Sequence, residues 1–216
     1  MKKIMFNDKY GLTEAVLKDR KTMTRRMITM PKKWHGIEVH GFSHVKGQTA
    51  LDMLDGDDFT IEDPKTGECA QILPTYRIGE EVAVAQRYRD IWVQSDKLLN
   101  LTFADRHVNE EGWSNKMFVK ADLMPHRICI TSIKVERLQD ISEEDCLKEG
   151  IQEYYPYIDR DPNDKVRTFQ YFKNGKIWYR TSPAPKCFAH LIDDISGKGT
   201  WDKNPYVFVY EFKLIK

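Results

Sequence analysis

Apolar positions along this chain recur with a two-residue period more often than with a helical one, and the clear segments of either kind are short. Ile4 to Phe6 form a brief apolar run, and "LTEAVLKD" then sets Leu12, Ala15 and Val16 at helical spacing. "YRIGEEVAVAQRY" predicts a turn at Gly79 followed by a strand around Val82 to Tyr88, and a further strand is expected at Lys116 to Lys120. The strongest strand pattern is "RICITSIKVERLQDI". There Ile128, Ile130 and Ser132 alternate against Cys129, Thr131 and Ile133, and Val135 continues the series. A two-turn helix follows: Ser142 is its N-cap with Asp145 three residues on, Glu143 and Glu144 suit its positive end, and Gly150 stops it. Asn174-Gly175 reads as a hairpin turn. "KCFAHLIDDI" looks helical after Pro183 and Pro185, and the dense β-branched and aromatic run "YVFVYEFKLI" predicts a buried last strand.

Three stretches lack this regularity and are read as insertions on a single domain spanning 1–216: about 30–75, 89–122 and 152–182. Strands dominate, with small helices between them and no βαβ repeat. The expected class is therefore α+β and strand-rich, a small mixed β-barrel rather than a doubly wound sheet.

Composition narrows the functions open to the chain. With 216 residues, 41% hydrophobic and 12% aromatic, it can build a substantial core. A net charge of +1 means that any nucleic-acid contact must come from a local patch. Cys69, Cys129, Cys146 and Cys187 are scattered with no C-x-x-C pair, and His35, His40 and His44 sit among glycines, so neither set argues for a metal. No cofactor is expected. No signal-like run or bilayer-length apolar segment is visible, and unpaired cysteines suit a reducing cytoplasm.

The densest local charge is "KTMTRR", Lys21 to Arg26, with three cations and two hydroxyls in six residues. It reads either as a solvated basic turn or as one wall of an anion or nucleotide site. The ordered blocks "DRKTMTRR", "YRIGEEVAV", "ITSIKVERLQDISEEDCLKEGI" and "GKGTWDKNPYVFVYEFKLI" resemble the ASCH-domain family, especially its larger phage and prophage members. The resemblance implies a PUA-like β-barrel with a cleft for RNA or a modified nucleoside. In small members that remove the acetyl group of 4-acetylcytidine, a K-T-x-T lysine and threonine act with a glutamate near the end of a short helix. That correspondence lands on Lys21, Thr24 and Glu149, with Arg20, Arg25, Arg26 and Arg127 as candidate contacts to RNA or base. Two positions depart from the pattern: Asp19 stands where a small residue is common, and Ala85-Gln86 where many phage relatives carry Arg-Glu.

Amide hydrolysis needs an activated nucleophile, a proton acceptor and a partner for the oxyanion. Thr24 could supply a hydroxyl or position water. Burial and neighbouring cations would lower the pKa of Lys21, whereas Glu149 would raise it, so two assignments of base and electrophile stay open. Residues three apart on a regular strand face opposite sides, so Lys21 and Thr24 share a pocket only if the backbone between them is irregular. Two non-catalytic readings stand beside the enzyme: a module that binds RNA or nucleoside, and a phage accessory protein whose insertions hold another protein. Trp178, with Tyr154, Tyr155 and Tyr157, could stack bases.

Overall fold

The computed structural model describes residues 1–29, 71–94, 103–155 and 167–215, and within 33–71 only the backbone of short strands. Its centre is a five-stranded mixed sheet in the order β1-β8-β9-β13-β2. These strands are β1 (Lys2–Ile4), β2 (Met23–Met27), β8 (Glu81–Val84), β9 (Arg127–Arg137) and β13 (Tyr206–Ile215). β1 runs parallel to β8, and every other pairing is antiparallel. Between β2 and β8 lie β3 (Lys33–Trp34), β4 (Ile37–Glu38), β5 (Ser43–Lys46), β6 (Asp57–Glu62) and β7 (Cys69–Gln71), the last three forming a separate antiparallel sheet. The side chains of His35, His40 and His44 lie outside the described residues, as does Tyr157.

The two longest strands, β9 and β13, make the spine. Strict alternation would put Ile133 and Val135 on the face opposite Ile128 and Ile130, yet all four are buried. A bulge reconciles them: Glu211 pairs with Ser132 and Phe212 with Ile130, so Thr131 is the extra residue and the face switches there. Simple alternation misplaced Ser132 for this reason.

A second antiparallel sheet holds β10 (Gln152–Tyr154), β11 (Thr168–Lys173) and β12 (Lys176–Thr181), turning at Asn174-Gly175 with both φ angles positive, as expected. The 152–182 region is more than a decoration, however. Phe169 and Tyr171 of β11 are buried in the main core against α4 (Ala184–Ser196). That helix presents Ala184, Cys187, Phe188, Leu191, Ile192 and Ile195 in one stripe at three- and four-residue spacing, with Pro185 tolerated in its first turn. Further helices are α1 (Leu12–Leu17), α2 (Tyr88–Gln94), α3 (Glu143–Lys148) and α5 (Thr200–Lys203).

Two other expectations fail. The strand expected to reach Tyr88 ends at Val84, and Tyr88 instead opens α2, its ring filling a small second cluster with Ile91, Val119 and Met124. The strand expected at Lys116 to Lys120 is a 3-10 turn, Lys116–Phe118. Asn115 caps it by accepting from the Met117 N–H, and Lys116 is drawn to Asp8 at 2.7 Å instead of alternating in a sheet.

The expected barrel is not closed. Among the described residues no strand ladder joins the edge strands β1 and β2. Side chains bridge the seam instead: the Arg26 guanidinium donates to the Met5 carbonyl at 2.6 Å, and the Phe6 ring stands between this arginine and Phe212. Among the described residues no helix is long and apolar enough to cross a membrane.

Helix α3 is built as its sequence foretold. The Ser142 hydroxyl accepts from the Asp145 N–H at 3.1 Å, and Ile141 and Cys146 are buried at staple spacing. At its end the Gly150 N–H donates to the Leu147 carbonyl and the Ile151 N–H to the Cys146 carbonyl, a Schellman stop with φ of 106° at Gly150. A Cβ there would stand 3.2 Å from Leu12 Cδ2. Gly150→Ala is therefore expected to cost about 1–3 kcal/mol in urea unfolding, where an ordinary surface glycine would cost far less.

Candidate functional site

Lys21 belongs to neither α1 nor β2. It lies in the connection between them, which Asp19 turns with a positive φ of 56° and which the Arg20 and Lys21 N–H groups fasten by donating to the Ala15 carbonyl. The backbone is thus irregular before Met23, so strand alternation does not separate Lys21 from Thr24. The lysine folds back along the strand, and Nζ donates to the Met23 carbonyl at 2.8 Å.

Glu149 arrives from 128 residues further along the chain, as the C-cap of α3. Lys21 Nζ donates to its Oε2 at 2.6 Å and to its backbone carbonyl at 2.8 Å. All three ammonium protons therefore have acceptors, and both side chains are buried, at 2% and 5% exposure. The second carboxylate oxygen, Oε1, accepts from Arg25 at 3.2 Å.

Arg25 is the hub of a larger ion cluster. Its guanidinium also reaches Asp145 at 3.0 Å and Glu136, with the side chain 1% exposed. Asp145 and Glu149 stand four apart on one helix face, a repulsive pair unless a cation lies between them, and Arg25 is that cation. Lys134 lies 2.9 Å from Glu136, and Lys148 lies 3.7 Å from Asp145.

The open seam between β1 and β2 continues into a pocket of about 530 Å³. Lys21, Thr24, Arg25, Arg26 and Glu149 all line it, with Phe188, Leu191, Ile192 and Ile195 of α4 as an apolar wall and Met5 and Met27 exposed beside them. Thr24 is buried, yet among the described residues its hydroxyl has no hydrogen-bond partner. The polar end of the pocket thus offers an ammonium, a carboxylate, an uncommitted hydroxyl and a guanidinium.

Burial holds the Lys21 pKa below its ordinary value. Glu149 opposes this by charge and hydrogen bond, while Arg26 and Arg25 push it further down. For Arg25, burial disfavours the charge, but Glu149 and Glu136 outweigh it and the pKa is raised. Burial pushes the thiols of Cys146 and Cys187 up to about 12, which leaves both unreactive at neutral pH.

The structure therefore brings Lys21, Thr24, Glu149 and Arg26 together. Two expected contacts are elsewhere. Arg127 pairs with Ala83 and Ile215 at the far end of β9, whereas Thr24 sits level with Tyr210 and Ile133, six residues and roughly 20 Å along the strand. It stands 3.5 Å from Glu81 and does not line the pocket. Arg20 is exposed and lines a separate cleft beside Gly150 and Gly175. Arg25 does line the pocket, but its donors are committed to three carboxylates. Ala85 and Gln86 are buried and lie outside the pocket, so their departure from the phage pattern does not alter its lining.

Sequence reasoning missed Lys116, which reaches the rim and donates to Asp8 and to the Phe6 carbonyl. No local pattern announces it. The role of Arg25 had a signal: two adjacent arginines on one strand must face opposite ways, and the acids of α3 needed a cation. Comparisons with family models, curated proteins and solved structures find no match to this chain.

The cluster predicts an order of stabilities. Removing one partner of a buried ion pair costs about 3–5 kcal/mol because a charge is left uncompensated. Lys21→Met leaves Glu149 with Arg25, whereas Arg25→Met strips the shared guanidinium from Glu136, Asp145 and Glu149 together. Chemical denaturation should therefore show Arg25→Met to be the more destabilising.

Proposed function

We propose that this is an ASCH-type, PUA-like protein whose seam pocket takes a modified nucleoside and hydrolyses an exocyclic amide of the 4-acetylcytidine kind. The observation that carries the reading is the 2.6 Å Lys21–Glu149 contact on the wall of a pocket that also holds the Thr24 hydroxyl. A contact between residues so far apart in sequence, at the positions the motif designates, is what such a site requires.

The chemistry can be assigned to these groups. Thr24 Oγ1 orients a water toward the acyl carbon. The water adds to that carbon and gives its proton to Glu149, while the ammonium of Lys21 and the guanidinium of Arg26 face the developing oxyanion. As the carbon–nitrogen bond breaks, Lys21 protonates the leaving nitrogen, so that carboxylic acid and free cytidine depart. The proton on Glu149 then crosses the short hydrogen bond and restores the ammonium. A depressed pKa suits Lys21 to this task, because it makes the ammonium a better proton donor.

A second reading has its own observation. Every ammonium proton of Lys21 and both carboxylate oxygens of Glu149 already have partners, so the pair also serves as a finished wall for a pocket that binds without turnover. Incubation with 4-acetylcytidine and other acylated nucleosides separates the two. Hydrolysis that drops about 10²–10⁴-fold in Lys21→Ala and in Glu149→Gln, with folding retained, supports the enzyme. Nucleoside binding with no product from any substrate supports the module.

The pH profile is a further test. Catalysis that needs the protonated lysine is present below the Lys21 pKa and lost as pH rises through it. Since that pKa is lowered from 10.5, the alkaline fall in kcat should come below 10.5. Lys21→Arg, which does not deprotonate in this range, should slow the reaction and abolish the fall.

A further inference from the structure

The seam pocket is lined by two kinds of surface, and they meet at the charged groups. The segment after β1 contributes Asn7, Asp8 and Lys9, and Lys116 reaches the same rim, so this side offers amide, carboxylate and ammonium. Helix α4 contributes Phe188, Leu191, Ile192 and Ile195, and among its lining residues Ser196 alone carries a polar side chain. The apolar wall starts beside the ion cluster. The Phe188 ring centroid lies 6.0 Å from Arg25 Cζ, and Arg25 donates to Glu149 at 3.2 Å. On the other flank the Phe6 ring centroid is 5.9 Å from Lys21 Nζ.

Packing of the helix accounts for only part of this stripe. Ala184, Cys187, Phe188 and Leu191 are buried in the core, whereas Ile192 and Ile195 are only half-buried on the pocket, with Met5 and Met27 exposed beside them. Aliphatic groups around an open cavity leave apolar surface in water until a ligand covers it. Length decides what sort of ligand does so. From Phe188 to Ile195 the helix advances roughly 10 Å, whereas the methyl of an acetyl group extends only about 1.5 Å from its carbonyl carbon. A ribose is no better match, because its hydroxyls need polar partners that Leu191, Ile192 and Ile195 lack.

We infer that the acyl group of the substrate is larger than acetyl, a medium-length aliphatic chain lying along the α4 wall while the polar remainder faces Asn7, Asp8 and Lys116. Met5 and Met27, unbranched and adaptable, cover the end of the chain. This rests on the proposed amide hydrolysis, and it adds that α4 selects the acyl group, with Ile192 and Ile195 as the residues that set specificity.

A series of 4-acetyl-, 4-butyryl- and 4-hexanoylcytidine varies only the chain. In it kcat/KM should rise about fourfold with each methylene, the worth of burying one such group. Ile195→Ser should cut the hexanoyl-to-acetyl ratio of kcat/KM roughly tenfold, and Ile192→Ser should do likewise. A ratio measured within one preparation is unaffected by loss of folded protein, so destabilisation does not imitate this result. A ratio that is flat or favours acetyl overturns the inference and leaves the hydrolytic reading intact. A length preference that both variants retain overturns the assignment to α4. Absence of hydrolysis on all three compounds defeats the catalytic reading instead. Calorimetric affinities for the same series then test the wall alone, tighter binding of the hexanoyl compound supporting it and equal binding overturning it.

Discussion

A lysine and a glutamate buried in contact at 2.6 Å are the constraint around which the rest of this structure is arranged. Desolvating two such charges costs several kcal/mol each, and their mutual attraction offsets this only when geometry is good and every remaining donor and acceptor is used. Here the conditions are met by backbone as much as by side chains. Two carbonyls complete the ammonium, and the second carboxylate oxygen is given to Arg25. Those carbonyls come from Met23, where β2 begins, and from Glu149, where α3 ends. The charge pair therefore fastens a strand terminus to a helix terminus, and it works only if both termini fall where they do.

The open seam follows from the same arrangement. A closed sheet would bring β1 and β2 within about 4.8 Å of each other and fill their backbone donors and acceptors. The segment after β1 instead places Met5 and Phe6 opposite Thr24 and Arg26, and a side chain, the Arg26 guanidinium, takes up the Met5 carbonyl. Closure would eliminate the pocket. The sheet gives up one ladder and gains a concave wall in which Lys21, Thr24 and Arg26 reach the same space.

What the sequence disclosed follows the range of the interactions involved. Helix α3 was legible to the residue, because Ser142, the Ile141–Cys146 pair and Gly150 act within one or two turns. The Asn174-Gly175 turn and the strands at either end of the spine were legible for the same reason. The bulge at Thr131 was not, since it is defined by the register of β13, some eighty positions further on. Nor was the 3-10 turn at Lys116, which depends on a carboxylate at Asp8, 108 residues earlier. The 152–182 segment looked like an insertion because its polar outer residues dominate its composition, while Phe169 and Tyr171, the two that reach the core, are only two of its many aromatics. For the site, Lys21, Thr24 and Glu149 were placed by motif alone, and the meeting of the three in one pocket depended on a backbone irregularity that Asp19 hints at without fixing.

The two neighbouring arginines show how strand geometry divides labour that composition cannot. Arg25 and Arg26 are chemically identical and adjacent, yet β2 turns one toward the carboxylates of α3, Glu136 and Phe188, and the other toward the Met5 carbonyl and Phe6. The first is almost wholly buried with its donors committed to three carboxylates, which makes it a fixed positive charge that orients Glu149. The second is exposed and donates a hydrogen bond to a backbone carbonyl across the open seam. Shifting the register of β2 by a single residue would exchange these roles and leave Glu149 facing an arginine that solvent could reach. The pairing of Val209 with Arg25 and of Phe208 with Arg26 fixes that register along the whole of β2, so the long strand β13, remote from the motif in sequence, determines which arginine is locked among the carboxylates and which one stays exposed at the seam.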